Sequence, residues 1–146
     1  MPHGAFRKQI ARNYLMKYLT ELLGKSSVSK QKVIFKRNKV STPIKGANII
    51  AKIGDKSDNK DKYKHIIVVA AHYDTGHSSA GVGDNGSGVT VVLELARIFH
   101  EIKDSIPDSH ELQFVLFDLY TEVSFTLISE MLIHSLLRDV LEANIL

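Results

Sequence analysis

The fold is decided by residues 65–99, HIIVVAAHYDTGHSSAGVGDNGSGVTVVLELARIF. The run from 65 to 71 is apolar without alternation, as expected of a strand buried on both faces of a parallel or mixed sheet. A loop rich in glycine and serine follows over 74–88, and the spacing predicts a long apolar helix over 89–102. A second apolar run over 112–117 predicts another buried strand. This strand–helix–strand order predicts an α/β fold built on a βαβ unit.

The sequence before this unit predicts a helix, a linker and two short strands. Residues 5–24 have apolar side chains at three- and four-residue steps with Lys and Arg between them, which is typical of an amphipathic helix. The apolar positions are Phe6, Ile10, Leu15, Tyr18, Leu19, Leu22 and Leu23. The stretch 25–32, rich in Lys and Ser, predicts a linker, and strand-like segments begin at Val33 and Ile49.

The whole chain therefore predicts one partial domain over residues 1–146 with three parts. Residues 1–30 form the amphipathic helix and linker, residues 33–122 form the sheet core with the site loops, and residues 124–146 form a helical tail. We expect a mixed sheet with helices on both faces.

Length and composition exclude several classes of protein. With 146 residues, 44% hydrophobic and 24% charged, the chain has the composition of an ordinary globular domain. It has no run of about 18 apolar residues, so we expect no membrane-spanning helix. Basic residues interrupt the apolar positions of the first twenty residues, so no signal-peptide core stands out, and the compartment is left open. Because the chain has no cysteine, any metal must be bound by His, Asp or Glu.

Charge is distributed unevenly along the chain. Residues 1–64 contain 16 Lys and Arg against 4 Asp and Glu, whereas residues 65–146 contain 3 against 12. A basic half can indicate a nucleic-acid or membrane partner, but no binding motif accompanies it here. A solvated, lysine-rich face is the favoured interpretation, so we expect neither a nucleic-acid nor a membrane partner.

The candidate site residues follow the two buried strands. Ligands of open α/β sheets bind beyond the carboxyl ends of the strands, where His72, Asp74 and the segment 118–122 are expected to meet. On an extended strand His72 and Asp74 share a face, so one could bind a metal while the other orients it. Asp84 precedes the predicted helix, where an aspartate taken alone more often caps the helix. Together, the imidazole and the carboxylates favour zinc or a similar divalent ion.

Three segments resemble the dinuclear zinc aminopeptidases of metallopeptidase family twenty-eight. They are His72–Thr75, the glycine-rich stretch 78–89 and the start of the helix at 93–97, with 46–51 resembling that family's entry to its first strands. The resemblance implies a zinc-exopeptidase fold, present in its amino-terminal part. It also implies that His72 is a terminal zinc ligand, that Asp84 bridges two zinc ions and that Asp74 orients His72.

The resemblance departs from the family pattern after the second buried strand. The family has Phe-Asp-Ala-Glu-Glu, the general base followed by a ligand, whereas this chain has Phe-Asp-Leu-Tyr-Thr-Glu over 117–122. Without a gap the two glutamates fall on Tyr120 and Thr121, and with one inserted residue Glu122 takes the ligand place. The family's last two ligands lie further downstream, so we expect an amino-terminal, truncated part of the domain. Weaker substitute ligands are His77, His134 and Asp139.

The resemblance thus implies a zinc-dependent aminopeptidase that hydrolyses amino-terminal peptide bonds with metal-activated water. The candidate catalytic residues are Asp74 and Glu122, and the candidate ligands of two zinc ions are His72, Asp84 and Glu122. The alternative is an inactive family member that acts as a binding or vestigial protein. Peptides are the expected substrate, and apolar surface left uncovered could favour self-association.

Two other enzyme classes are disfavoured. The glycines of 81–86 match the spacing of a dinucleotide-binding loop, but residues 72–80 separate them from the strand. A serine hydrolase would need a Gly-x-Ser-x-Gly turn, which the chain lacks.

Overall fold

The computed structural model describes residues 3–35, 43–54, 65–76 and 79–122. The helices and strands, in chain order, are α1 (His3–Leu23), β1 (Val28–Phe35), β2 (Ile44–Ile53), β3 (His65–His72), α2 (Ser87–Glu101) and β4 (His110–Phe117). A short 3₁₀ turn over Tyr120–Glu122, called the site turn below, follows β4. Within the described ranges, neither helix combines the length and the apolar character that a membrane crossing requires.

The four strands form one mixed sheet in the order β1-β2-β4-β3. The β1–β2 and β2–β4 pairs are antiparallel, and β3 and β4 are parallel neighbours. The predicted βαβ unit is therefore confirmed as β3–α2–β4. His72, the last residue of β3, pairs with Phe117, the last residue of β4. Because the two strands end together, the residues that follow them meet at one edge of the sheet.

The two described helices pack on the same face of the sheet. Leu15 and Leu19 of α1 and Val92 and Ala96 of α2 are buried in one cluster with side chains from the sheet. The sheet residues of that cluster include Ile49, Ala51, Ile53, Ala71, Leu112, Phe114 and Leu116. The opposite face carries a second buried cluster of Ile50, Val115 and Phe117. The helix predicted over 124–143 lies outside the described residues.

Two strands begin earlier than the sequence predicted. β1 begins at Val28, inside the predicted linker, and β2 begins at Ile44, directly after Pro43. Among the described strands β1 pairs with β2 alone, and its residues are mostly exposed or half-buried. Polar side chains such as Lys30 are common on edge strands, where they discourage pairing with other chains. This polar composition is why the strand resembled a linker, and the sheet begins before residue 33.

The inner face of α1 differs from the predicted apolar stripe. Leu15 and Leu19 are buried as expected, but Phe6 and Ile10 are 64% and 54% exposed. In the amino-terminal half of the helix, Lys8 and Arg12 point towards the sheet instead and contact a buried carboxylate. The inward stripe of α1 is therefore basic at one end and apolar at the other.

That carboxylate belongs to Asp118, directly after β4, and its side chain is fully buried. Lys8 Nζ lies 3.0 Å from Oδ1 and Arg12 Nη2 lies 2.6 Å from Oδ2. The Ala47 amide also donates to Oδ2, over 2.9 Å. Burial alone would raise the pKa of Asp118, but the Ala47 amide and Lys8 outweigh it, so the pKa lies below its ordinary value. Asp118 thus joins α1 to the end of β4.

Gly46 on β2 leaves the space that Asp118 occupies. A β-carbon at Gly46 would lie 2.7 Å from Asp118 Oδ2 and 2.7 Å from Leu119 Cγ. Both neighbours are buried, so we expect Gly46→Ala to lower the free energy of unfolding by about 1–3 kcal/mol. Urea titration would measure this change. Gly76→Ala is the matched control because nothing lies within 4 Å of a β-carbon there; equal stability of the two variants would contradict the prediction.

Candidate metal centre

The loop over residues 81–86, called the metal loop below, brings Asp84 to the end of β3. Gly81 begins it in the left-handed conformation, with φ 70°, and a β-carbon there would collide with the Thr75 side chain. The Asp84–Asn85 peptide bond is cis. The amide of Gly88 in the first turn of α2 donates to Asn85 Oδ1 over 3.1 Å. Asn85 therefore supplies this capping contact, and the carboxylate of Asp84 faces His72.

His72 ends β3 with a side chain that is only 7% exposed. Its Nδ1 lies 2.9 Å from the backbone carbonyl oxygen of Asp74, and its Nε2 lies 3.0 Å from Asp84 Oδ1. A carbonyl oxygen only accepts, so the proton on Nδ1 is fixed and donates to it. In a neutral ring the lone pair of Nε2 then faces a carboxylate oxygen. Two acceptors at that distance are stabilised by a shared cation, either a proton or a metal ion.

The donor set at this pair fits zinc. A neutral imidazole nitrogen and a carboxylate oxygen are ordinary zinc ligands, and a histidine ligand usually donates its other nitrogen to a carbonyl or a carboxylate. His72 meets that second condition through Asp74. Asp84 is 82% exposed on its side chain, so the pair is open to an ion arriving from solvent.

The carboxylate of Asp74 has a different role from the one that the resemblance implies. Its Oδ1 lies 3.6 Å from His72 Nδ1, beyond a hydrogen bond, and the carbonyl oxygen of the same residue orients the ring. The carboxylate instead accepts three hydrogen bonds from the site turn. Tyr120 N donates to Oδ1 over 3.1 Å, and Thr121 donates to Oδ2 from its amide (2.9 Å) and its hydroxyl (2.7 Å).

Tyr120 contacts His72 directly, which the sequence did not predict. The two rings are stacked, with centroids 4.1 Å apart and planes 8° apart. In the sequence Tyr120 stood out only because it occupies a place where the family has glutamate. No spacing rule indicates an aromatic stack between residues 48 positions apart, so only the folded arrangement reveals it.

The structure brings together His72, Asp74 and Asp84 among the predicted site residues. The backbone of Glu122 belongs to the site turn, and its side chain lies outside the described part of the chain, as do the substitute candidates His77, His134 and Asp139. Within the described ranges, no group of three His, Cys, Asp or Glu residues could hold a metal ion. The described part of the site therefore offers two metal donors, His72 and Asp84.

A comparison with known proteins finds a protein family whose model matches the part of the chain that contains this site. The model of peptidase family M28 matches residues 48–119. Aminopeptidase YwaD of Bacillus subtilis (strain 168) is 42% identical over 65 residues, which are 44% of this chain and 13% of that protein. The matched family segment contains the His72–Asp84 pair and ends immediately before the site turn.

Solved structures extend the comparison to the fold. A glutaminyl cyclase from Macrostomum lignano is 26% identical with a TM-score of 0.54, covering 75% of this chain and 30% of that one. BSAP, a zinc aminopeptidase from Bacillus subtilis, is 38% identical with a TM-score of 0.42, covering 50% of this chain and 16% of that one. The chain thus spans less than a third of the length of each of these relatives.

Proposed function

Because residues 48–119 match the model of peptidase family M28, we propose that the protein is a zinc-dependent peptidase of the aminopeptidase type. The observation that carries the proposal is the His72–Asp84 pair, with Nε2 and Oδ1 3.0 Å apart at the carboxyl end of β3. It lies where open α/β sheets bind their ligands. The substrate class that follows from the family is peptides with a free amino terminus.

His72 and Asp84 would hold zinc, and Glu122 is the proposed third ligand. Zinc, when bound, polarises a peptide carbonyl and makes water a nucleophile near neutral pH. The chain's own residues prepare this site: the Asp74 carbonyl holds the proton on His72 Nδ1, so Nε2 is free to bind. The resemblance implies two ions per chain, and Asp84 would help to hold both.

Whether the protein is an active peptidase depends on the role of Glu122 and on the presence of a general base. If Glu122 is a zinc ligand, hydrolysis still needs another group as general base to accept the proton of the attacking water. Neither Tyr120 nor Thr121 carries a carboxylate, and the hydroxyl of Thr121 already donates to Asp74. A family member that binds zinc without such a base would be a binding protein rather than a peptidase, which is the alternative proposal.

Hydrolysis of leucine p-nitroanilide by the purified chain tests the proposal. We expect release of nitroaniline that requires added zinc and falls to background in His72→Ala. His65→Ala is the matched control, because His65 begins β3 at the opposite end of the same strand. Zinc binding without hydrolysis would favour the inactive alternative as a binding protein, and a chain that binds no zinc and hydrolyses nothing would favour the vestigial form of that alternative and contradict the peptidase.

A glutaminyl cyclase activity is the second candidate, because the Macrostomum lignano glutaminyl cyclase matches the larger share of this fold. The 42% identity over 65 residues to the aminopeptidase YwaD favours the peptidase. A peptide beginning with glutamine, followed by mass spectrometry, separates the two activities. Cyclisation of the intact peptide would identify a cyclase, and release of free glutamine would identify an aminopeptidase.

A further inference from the structure

We infer that Tyr120 is a positioning residue for His72: its ring lies against the imidazole and holds Nε2 towards Asp84. The inference rests on the proposed function, since it concerns the residue that would bind zinc. It assigns a role to a position at which the family pattern would place a carboxylate and at which this chain has an aromatic ring.

The stack supplies a restraint that the hydrogen bond to His72 does not. The bond from Nδ1 to the Asp74 carbonyl fixes the direction of one ring edge. It leaves the ring free to tilt about that bond. The Tyr120 ring lies nearly parallel to the imidazole, 8° apart and with centroids at 4.1 Å, so it fixes the plane. Together the two contacts direct Nε2 at Asp84.

Asp74 connects these two restraints. Its carbonyl oxygen accepts from His72, and its carboxylate accepts from the amide of Tyr120 over 3.1 Å. Two further bonds from Thr121 hold the same turn. The position of the Tyr120 ring is therefore set by the same buried residue that sets the tautomer of His72. The site turn and the zinc ligand form one unit.

The aromatic face of Tyr120, rather than its hydroxyl, performs this role. The Tyr120 residue is 37% exposed, whereas the His72 side chain beneath the ring is 7% exposed. Covering one face of the imidazole limits rotation of the ring. Phenylalanine would preserve the stack, and alanine would remove it. This contrast separates positioning by the ring from acid–base chemistry by the hydroxyl.

Zinc affinity of the full chain tests the inference, measured by competition with a chromophoric chelator. We expect Tyr120→Ala to weaken zinc binding about 10- to 100-fold, the range for partners that orient a metal ligand. Tyr120→Phe should bind within about 2-fold of the natural chain. Tyr14→Ala, which removes a tyrosine that is 65% exposed on α1, is the matched control. Equal affinity of Tyr120→Ala and Tyr14→Ala would overturn the inference.

A second measurement does not depend on zinc. In the metal-free chain, NMR relaxation of the His72 ring reports how firmly the plane of the ring is held. We expect a rigid ring in the natural chain and in Tyr120→Phe, and a more mobile ring in Tyr120→Ala, in which the hydrogen bond to the Asp74 carbonyl remains but the stack is lost. A natural chain that binds no zinc would contradict the proposed function, while the inference would stand or fall on this ring motion. An equally rigid ring in Tyr120→Ala would overturn it.

Discussion

Replacing His72 with alanine is expected to weaken zinc binding by at least about 100-fold. Partners that merely orient a ligand contribute about 10- to 100-fold in metal affinity, and His72 would itself donate a nitrogen. Its removal leaves Asp84, which is 82% exposed, as the remaining described donor. Isothermal titration of zinc into the metal-stripped chain would measure both the affinity and the number of ions bound.

Two further variants sharpen this result. Asp84→Asn keeps the shape of the side chain but removes the charge that faces His72 Nε2, so it should also lose most of the zinc affinity. His65→Ala changes a histidine of the same strand at its other end and should bind as the natural chain does. Unchanged affinity in both His72→Ala and Asp84→Asn would place any bound zinc elsewhere in the chain.

The sequence predicted the part of the fold that rests on local hydrophobic pattern. The apolar run that ends before His72 and the second run over 112–117 became parallel neighbours. The second run is buried as predicted. The first run was expected to be buried on both faces, but β3 lies at the edge of the described sheet and its residues before Ala71 are exposed or half-buried. The glycine-rich metal loop could also be predicted, since Gly81 has a positive φ that glycine adopts readily. Together these features place His72 and Asp84 at one edge.

Contacts between distant residues were not predictable in the same way. Lys8 and Arg12 looked like ordinary charges on the outer face of an amphipathic helix, yet they point inward because Asp118 is buried beneath α1. The sequence grouped Asp118 with the carboxylates at the metal-site edge of the sheet, but its side chain lies on the α1 side. The Tyr73 hydroxyl lies 3.0 Å from Asp118 Oδ2 on that side. Side chains alternate along an extended strand, so Tyr73 and His72 point to opposite faces.

The roles of two neighbouring residues also depended on the folded loop. An aspartate before a helix is by itself more often a cap than a ligand, so the sequence left Asp84 with both interpretations. The structure gives a capping contact to Asn85, one residue later, and directs Asp84 at His72. A shift of one residue in a glycine-rich loop exchanges these roles, and residue spacing alone cannot detect it.

Replacing Asp118 with alanine is expected to lower the free energy of unfolding by about 3–5 kcal/mol, the cost of leaving a buried charge without its partner. The Arg12 side chain is 14% exposed and would lose a contact of 2.6 Å, and Lys8 would lose one of 3.0 Å. The Ala47 amide would also lose its acceptor. Urea unfolding followed by circular dichroism would measure the change.

The control for this prediction is the exposed pair between Lys17 and Glu21, whose side chains are 75% and 67% exposed. Glu21→Ala should lower the free energy of unfolding by at most about 0.5 kcal/mol, because solvent screens such a pair.

The pH dependence of stability, compared between the natural chain and Asp118→Asn, provides a second test. Because the pKa of Asp118 is lowered in the folded chain, its ion pairs stabilise the fold above the unfolded value of about 3.9 and are lost as pH falls through the lower, folded value. Stability should therefore decline less in Asp118→Asn than in the natural chain between about pH 5 and pH 2, and equal decline would contradict a stabilising role for this carboxylate.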